Sequence, residues 1–271
     1  MDLPNEIIVI IFGYCDLHDQ LNLRLVSKHM SRFLEYIQID RQVKLTNSDI
    51  DKFYFHLLTN IIIDDFLEEY PRHLTHLTFG WFFNRDIKDC IPASVTHLTF
   101  GDNFNQNIKN CIPNSVTHLT FGFHFNQDIK DCITDSVTLL TFGHYFNQNI
   151  KNCIPASVNH LTFGFKFNRN IKDCIPTSVN HLTFGHCFNQ DIKDCIPNSA
   201  AHLTLGYRFN QDIKDCISTN VTHLTFGYCF NQDIKDCIPY SVTHLTFDQV
   251  HNKNICNMVP STVTNLVFLR K

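Results

Sequence analysis

Eight cysteines, Cys90, Cys111, Cys132, Cys153, Cys174, Cys195, Cys216 and Cys237, recur at an unbroken interval of 21 residues. Eight histidines, His76, His97, His118, His160, His181, His202, His223 and His244, keep the same interval, with Leu139 in the one missing place. Thiolates and imidazoles are the raw material of nucleophilic catalysis, proton transfer and metal ligation. The spacing argues against all three. An active site needs unlike groups converging on one point, a nucleophile with its base and an orienting group, whereas a fixed period sets like groups in a column. No Cys-x-x-Cys pair occurs, so the usual signature of structural zinc is missing. The 16 His and 12 Cys are therefore read as structural, with no catalytic residue, metal or cofactor expected. The cysteine column reads as reduced, internal small hydrophobes, although stacked neighbours about 4.8 Å apart could in principle pair.

What positions these columns is a repeat. Leu77, Leu98, Leu119, Leu140, Leu161, Leu182, Leu203, Leu224, Leu245 and Leu266 follow one another without insertion or deletion, the mark of a solenoid. The common unit is S-V-T-H-L-T-F-G-x-x-F-N-Q-D-I-K-D-C-I-P-x, in which V-T-H-L-T-F carries the β-branched and aromatic residues of a short strand. Within the strand, His and Thr are expected on the outer face, alternating with inward Leu and Phe. Phe104, Ile108 and Ile112 supply apolar contacts for the return path, and Gly101 and Pro113 punctuate the turns, glycine because it tolerates positive φ. A strand and two turns leave too little of the period for a helix of usual length, so the outer face is expected to be a short turn or irregular backbone. The unbroken Asn84 column, with Asn105, Asn126, Asn147, Asn168, Asn189, Asn210, Asn231 and Asn252, reads as a ladder satisfying turn backbone. Lys88 and its equivalents, flanked by Asp or Asn at positions 86 and 89, read as compensated surface charge.

The register also reaches backwards. Phe53, Leu58, Ile62, Phe66 and Pro71 fall one period before Leu74, Phe79, Phe83, Ile87 and Pro92, which suggests a degenerate capping repeat over 50–70. Val263 to Phe268 would be the closing strand, with Arg270 and Lys271 in solvent. The first 41 residues differ in composition and show apolar residues at helical spacing: Ile7, Ile8 and Ile11 share a face behind Pro4, and Leu21, Leu25, Met30, Phe33 and Leu34 give two further stripes. Three short helices cannot bury that surface alone, so a partner is implied. The expected organisation is thus an all-α domain at 1–41, a linker and capping repeat at 42–70, and a leucine-rich-repeat-like parallel β-solenoid at 71–271 with little or no helix on its outer face.

A net charge of -4 and a pI near 6.4 provide no basic stripe for nucleic acid. The longest early apolar run, Ile7 to Phe12, is too short to span a bilayer, and Asp2 without early Lys or Arg does not suit a signal peptide. The expectation is a soluble, unexported protein binding neither nucleic acid nor membrane.

Leu3, Pro4, Glu6, Ile7, Ile11, Phe12, Leu17 and the run Leu23 to Lys28 resemble the F-box pattern, and the repeats are similar to FNIP repeats, leucine-rich-repeat relatives known mainly from amoebae and their giant viruses. The family places Pro soon after Phe-Asn-x-x-Ile, whereas here Pro follows Cys-Ile. This resemblance implies a non-catalytic, substrate-recruiting subunit of an SCF-type ubiquitin ligase, monomeric within a complex of Skp-type adaptor and cullin, in the cytoplasm, or in the host's if viral. The alternative is an interaction scaffold with no role in ubiquitination. The adaptor-binding candidates are Leu3, Pro4, Ile7, Ile8, Ile11 and Phe12, with Leu25 and Val26 packing the helices. For the unknown protein substrate, the informative positions are those that vary between repeats, because side chains freed from packing can differ. The pair after each glycine varies most, and it names Trp81, Phe82, Phe123, His124, His144, Tyr145, Phe165, Lys166, Tyr207, Arg208 and Tyr228 as surface candidates, aromatic and basic as recognition hot spots are.

Overall fold

The computed structural model describes residues 42–49, 58–249 and 258–270. They divide into two compact units, 1–78 and 79–271. The helical reading of 1–41, and with it every adaptor-binding candidate, lies outside the described residues, as do residues 50–57, Asn252 and Lys271.

In the first unit, β1 (Val43–Leu45) pairs in parallel with β2 (Asn60–Ile63), placing Leu45 beside Ile63. A single 3-10 turn, Asn47–Asp49, follows β1; Asp49 accepts from the Thr46 N–H at 2.8 Å. The strand β3 (His76–Phe79) spans the boundary between the units. Its His76 N–H donates to the Thr59 carbonyl, as does that of Thr75, so Asn60 is the counterpart of His76. That offset corrects the expected register. Ile61 and Ile63, not Leu58 and Ile62, occupy the inward strand places, and Ile62 is half-buried. The 21-residue period is cut short here because the connection between β2 and β3 is shorter than in the array.

In the second unit, β4 (His97–Thr99), β5 (His118–Thr120), β6 (Leu139–Thr141), β7 (His160–Thr162), β8 (His181–Thr183), β9 (His202–Thr204), β10 (His223–Phe226), β11 (His244–Gln249) and β12 (Asn265–Arg270) lie side by side in chain order. Each is parallel to the next and in register by one period, Leu98 opposite Leu119 and so onward to Leu245 opposite Leu266. The array is a parallel β-solenoid. Its closing strand runs from Asn265 to Arg270, two residues later than expected, and Leu269 is exposed.

Each coil is one strand and three tight turns, with no helix among the described residues of the array. Phe104 N–H donates to the Gly101 carbonyl, Cys111 to Ile108 and Val116 to Pro113, and the same three bonds recur along the unit. Between the turns, Val95, Leu98, Phe100, Phe104, Ile108 and Ile112 and most of their equivalents point inward and are buried, the alternation that the strand and return path call for; Ile175 and, in the last coil, Val263, Leu266 and Phe268 are half-buried. The middle turn holds the third residue in the left-handed region: Asp89, Asn110, Asp131, Asn152, Asp173, Asp194, Asp215 and Asp236 all have φ between 57° and 60°. Asp and Asn are the side chains that tolerate this best. One residue earlier in each turn, the Lys backbone N–H is held by the carboxylate or amide two positions back, Lys88 by Asp86 at 3.0 Å and Lys109 by Asn107 at 2.8 Å. The flanking acids are therefore turn-formers. Reading them as compensating surface charge missed why Asp and Asn interchange there.

Glycine has a different role from the one its flexibility suggested. No described glycine has positive φ. Instead the coils touch there: a Cβ on Gly143 would stand 1.7 Å from the Gly122 carbonyl oxygen, and one on Gly164 would stand 1.8 Å from that of Gly143.

Candidate functional site

The pair after each glycine lies where coils approach most closely, and this fixes it. The second residue of each pair donates its backbone N–H to the carbonyl of the first residue one coil earlier: Tyr145 to Phe123 at 2.9 Å, Lys166 to His144 at 2.8 Å, Arg208 to His186 at 2.9 Å and Cys229 to Tyr207 at 2.9 Å. A second backbone ladder therefore runs beside the sheet, and the most variable residues stand on some of the most constrained backbone.

On that ladder the first residues stack ring on ring. Phe123 to His144 is 4.3 Å between centroids, His144 to Phe165 4.5 Å, Phe165 to His186 4.2 Å, His186 to Tyr207 4.3 Å and Tyr207 to Tyr228 4.9 Å, all within 20° of parallel. The second residues flank the stack. His124 lies parallel to Tyr145 at 5.2 Å, and the Lys166 ammonium sits 5.6 Å from the Phe165 centroid. The structure thus gathers Phe123, His124, His144, Tyr145, Phe165, Lys166, Tyr207, Arg208 and Tyr228 into one surface strip and adds His186, which completes the column. His186 stands in the same variable pair after glycine as the named candidates, with Cys187 beside it. Trp81 and Phe82 are the most exposed of the candidates, and Asp102 and Asn103 interrupt the stack between them and Phe123.

Electrostatics on the strip run one way. Burial, then Lys166 and His124, hold His144 below the ordinary imidazole pKa; burial, then Arg208 and Lys166, do the same for His186. Both imidazoles are therefore biased towards the neutral form.

The histidine column of the strands shares the outer face with the threonines, as expected. His97 and His118 stack at 4.0 Å, and His160, His181, His202, His223 and His244 continue at 4.1 to 4.2 Å. Thr117 donates its only hydroxyl hydrogen to the Thr96 carbonyl at 3.2 Å, so it accepts from His118 Nδ1 at 2.9 Å. The same pair of bonds at Thr222 and His223 likewise places a proton on Nδ1. Two charged rings about 4 Å apart repel by about 1 kcal/mol even at the dielectric constant of water. His181 and His223 are accordingly held below the ordinary value by burial first and by neighbouring imidazoles second.

The remaining columns hold the strip rather than form part of it. Each Asn side chain accepts from the backbone N–H of the next, Asn84 from Asn105 at 2.9 Å through to Asn210 from Asn231 at 2.8 Å. The described cysteines are unbridged; in the column, those from Cys111 to Cys216 are buried and Cys90 and Cys237 at its ends are half-buried. Their thiols point to the carbonyl two residues back, as Cys132 does to Lys130 at 3.3 Å. Burial, reinforced by nearby aspartates, raises the thiol pKa of Cys132 and Cys216 to about 11.

Comparison with known proteins bears on both ends of the chain. The FNIP Repeat family model matches residues 83–124, 125–166, 167–208, 209–249 and 230–270, and the F-box domain model matches residues 1–41. The first three repeat matches each take in two coils. No curated protein matches. Among solved structures, the chain is similar to CroV588, a giant-virus protein described as a novel circular LRR protein, with 41% identity, 83% of this chain covered and a TM-score of 0.72. The chain spans 35% of that protein's length.

Proposed function

We propose that this chain, which belongs to the FNIP repeat family and carries an F-box domain match at its start, is the substrate-recognition subunit of an SCF-type ubiquitin ligase. In this reading it acts in the cytoplasm and performs no chemistry itself. Leu3, Pro4, Ile7, Ile8, Ile11 and Phe12 dock on a Skp-type adaptor, Leu25 and Val26 pack the helices that present them, and cullin joins through the adaptor. The solenoid holds the target. Residues 42–70 separate the two roles as linker and cap.

The observation that carries this reading is that an F-box match and a rigid, aromatic and basic strip occur on one chain. A repeat array with its own continuous core needs no partner to fold, so variable aromatics kept on its surface are available for recognition. Burying a Leu or Ile at an interface is worth roughly 1.5 to 3 kcal/mol, so Leu3→Ala with Ile11→Ala is expected to weaken adaptor binding by roughly two to four decades. Pro4→Ala should matter less, since proline there mainly presets the helix start. The test is capture of purified adaptor by the full chain, the double variant and a chain beginning at residue 42. Undiminished capture by either altered protein would remove the mechanism and leave the scaffold reading in its place.

A further inference from the structure

The strip has a chemical character that narrows what it can hold. In the run from Phe123 to Tyr228 the ring faces are occupied by their neighbours, so the rings present edges to solvent. Aromatic edges carry the positive rim of the ring quadrupole and attract oxygen rather than cations. The flanking residues are His124, Tyr145, Lys166, Cys187, Arg208 and Cys229: two permanent cations and no carboxylate. Among the pairs after glycine, Asp102 is the only acid, and it lies one coil before the run begins. A positive strip on a chain of net charge -4 is local complementarity, not general basicity.

Geometry adds a spacing. Lys166 and Arg208 are two coils apart, as are His144 and His186, which at strand spacing is about 9.6 Å along the array. A polyproline-type chain rises about 3.1 Å per residue with three residues per turn, so every third side chain faces the same way at about 9.3 Å. A β-strand places same-side residues about 6.6 Å apart and does not fit.

We infer that the strip from Phe123 to Tyr228 docks an extended, acidic peptide segment of the target, lying along the array with carboxylates at every third residue set against Lys166 and Arg208. Peptide carbonyls then meet the ring edges between the cations. The inference rests on the reading of the solenoid as the target-binding part. Single-stranded nucleic acid is the less favoured occupant, because its bases bind by stacking on free ring faces, and here the faces within the run are covered.

Fluorescence anisotropy on the full chain tests this, with a dye-labelled peptide bearing Glu at every third position in a proline-rich background. The same peptide with Gln for Glu, and a labelled poly-uridine, serve as comparisons. The Glu peptide is expected to bind at least about tenfold more tightly than the Gln peptide, with affinity falling as salt rises. Lys166→Glu with Arg208→Glu should abolish that preference, while Lys109→Glu with Lys151→Glu, an equal charge change in another column, should retain it. Equal binding of Glu and Gln peptides, indifference to the Lys166 and Arg208 reversal, or tighter binding of poly-uridine would overturn the inference. Adaptor capture measured on the same preparations separates the two readings. A chain that captures adaptor but shows no preference for Glu loses only the docking surface; one that prefers Glu but captures no adaptor loses the ligase role and keeps the surface.

Discussion

Phe163 and Phe165 lie two residues apart on one coil, and each belongs to a column of stacked rings. Phe163 is 2% exposed and stacks on Phe142 and Phe184, both at 5.6 Å; Phe165 is 36% exposed and stacks on His144 and His186 at 4.5 and 4.2 Å. The outer column is stacked more closely than the inner one, yet it is the outer column that changes identity from coil to coil. Stacking therefore does not dictate residue type here; enclosure does. Phe163 also wedges against Phe167 at 3.9 Å inside the core, where only an apolar group of similar size fits, and the one departure among the central coils is Leu205. Phe, His and Tyr serve equally outside, because any flat ring continues the pile and its edge meets water.

Between them sits Gly164, and breaking it should produce the largest effect. In Gly164→Ala the new methyl would meet backbone, not a movable side chain, so the coils on either side must separate. A loss above about 4 kcal/mol in urea unfolding is expected; a loss below that of Phe163→Ala would mean that the coils can part without cost. Phe163→Ala itself removes a buried ring and leaves a cavity, which should cost about 3 to 5 kcal/mol. Phe165→Ala interrupts the outer stack only, at about 0.5 to 1.5 kcal/mol. Equal losses for the two phenylalanines would erase the distinction between the columns.

Acid sharpens the same contrast. Because burial and neighbouring imidazoles hold His181 and His223 below the ordinary value, the unfolded chain binds more protons than the folded one. Stability should be intact above the ordinary imidazole pKa of about 6.5 and fall as pH drops through it. A urea midpoint unchanged between pH 7.5 and pH 5 would show that the column tolerates charge.

The smallest effect is one of rate. Cys187 and Cys229, in the flanking positions of the outer strip, are half-buried, whereas Cys132 and Cys216 are buried with raised thiol pKa values. Titration of the native protein with a thiol reagent should modify Cys187 and Cys229 first and the inner column only in denaturant; mapped disulfides between successive coils would contradict it.

What the sequence determined alone was whatever depends on position within the period. Leu98, Phe104, Ile108 and Val116 are inward because an unbroken interval returns each to the same place on every coil, and burial then follows from hydrophobicity. The Asn ladder was legible for the same reason. Tertiary structure decided what depends on the coil next door. Gly143 is glycine because of the carbonyl of Gly122, Asn110 is left-handed because the turn from Ile108 to Cys111 must close, and His186 joins the strip because Phe165 and Tyr207 lie above and below it. The shorter link between β2 and β3 was hidden in the same way, since register there is set by the hydrogen bond from His76 to Thr59. A period tells which residues are equivalent. Only the packing of one coil on the next sets the distances between them, and those distances make a column of dissimilar rings a continuous surface.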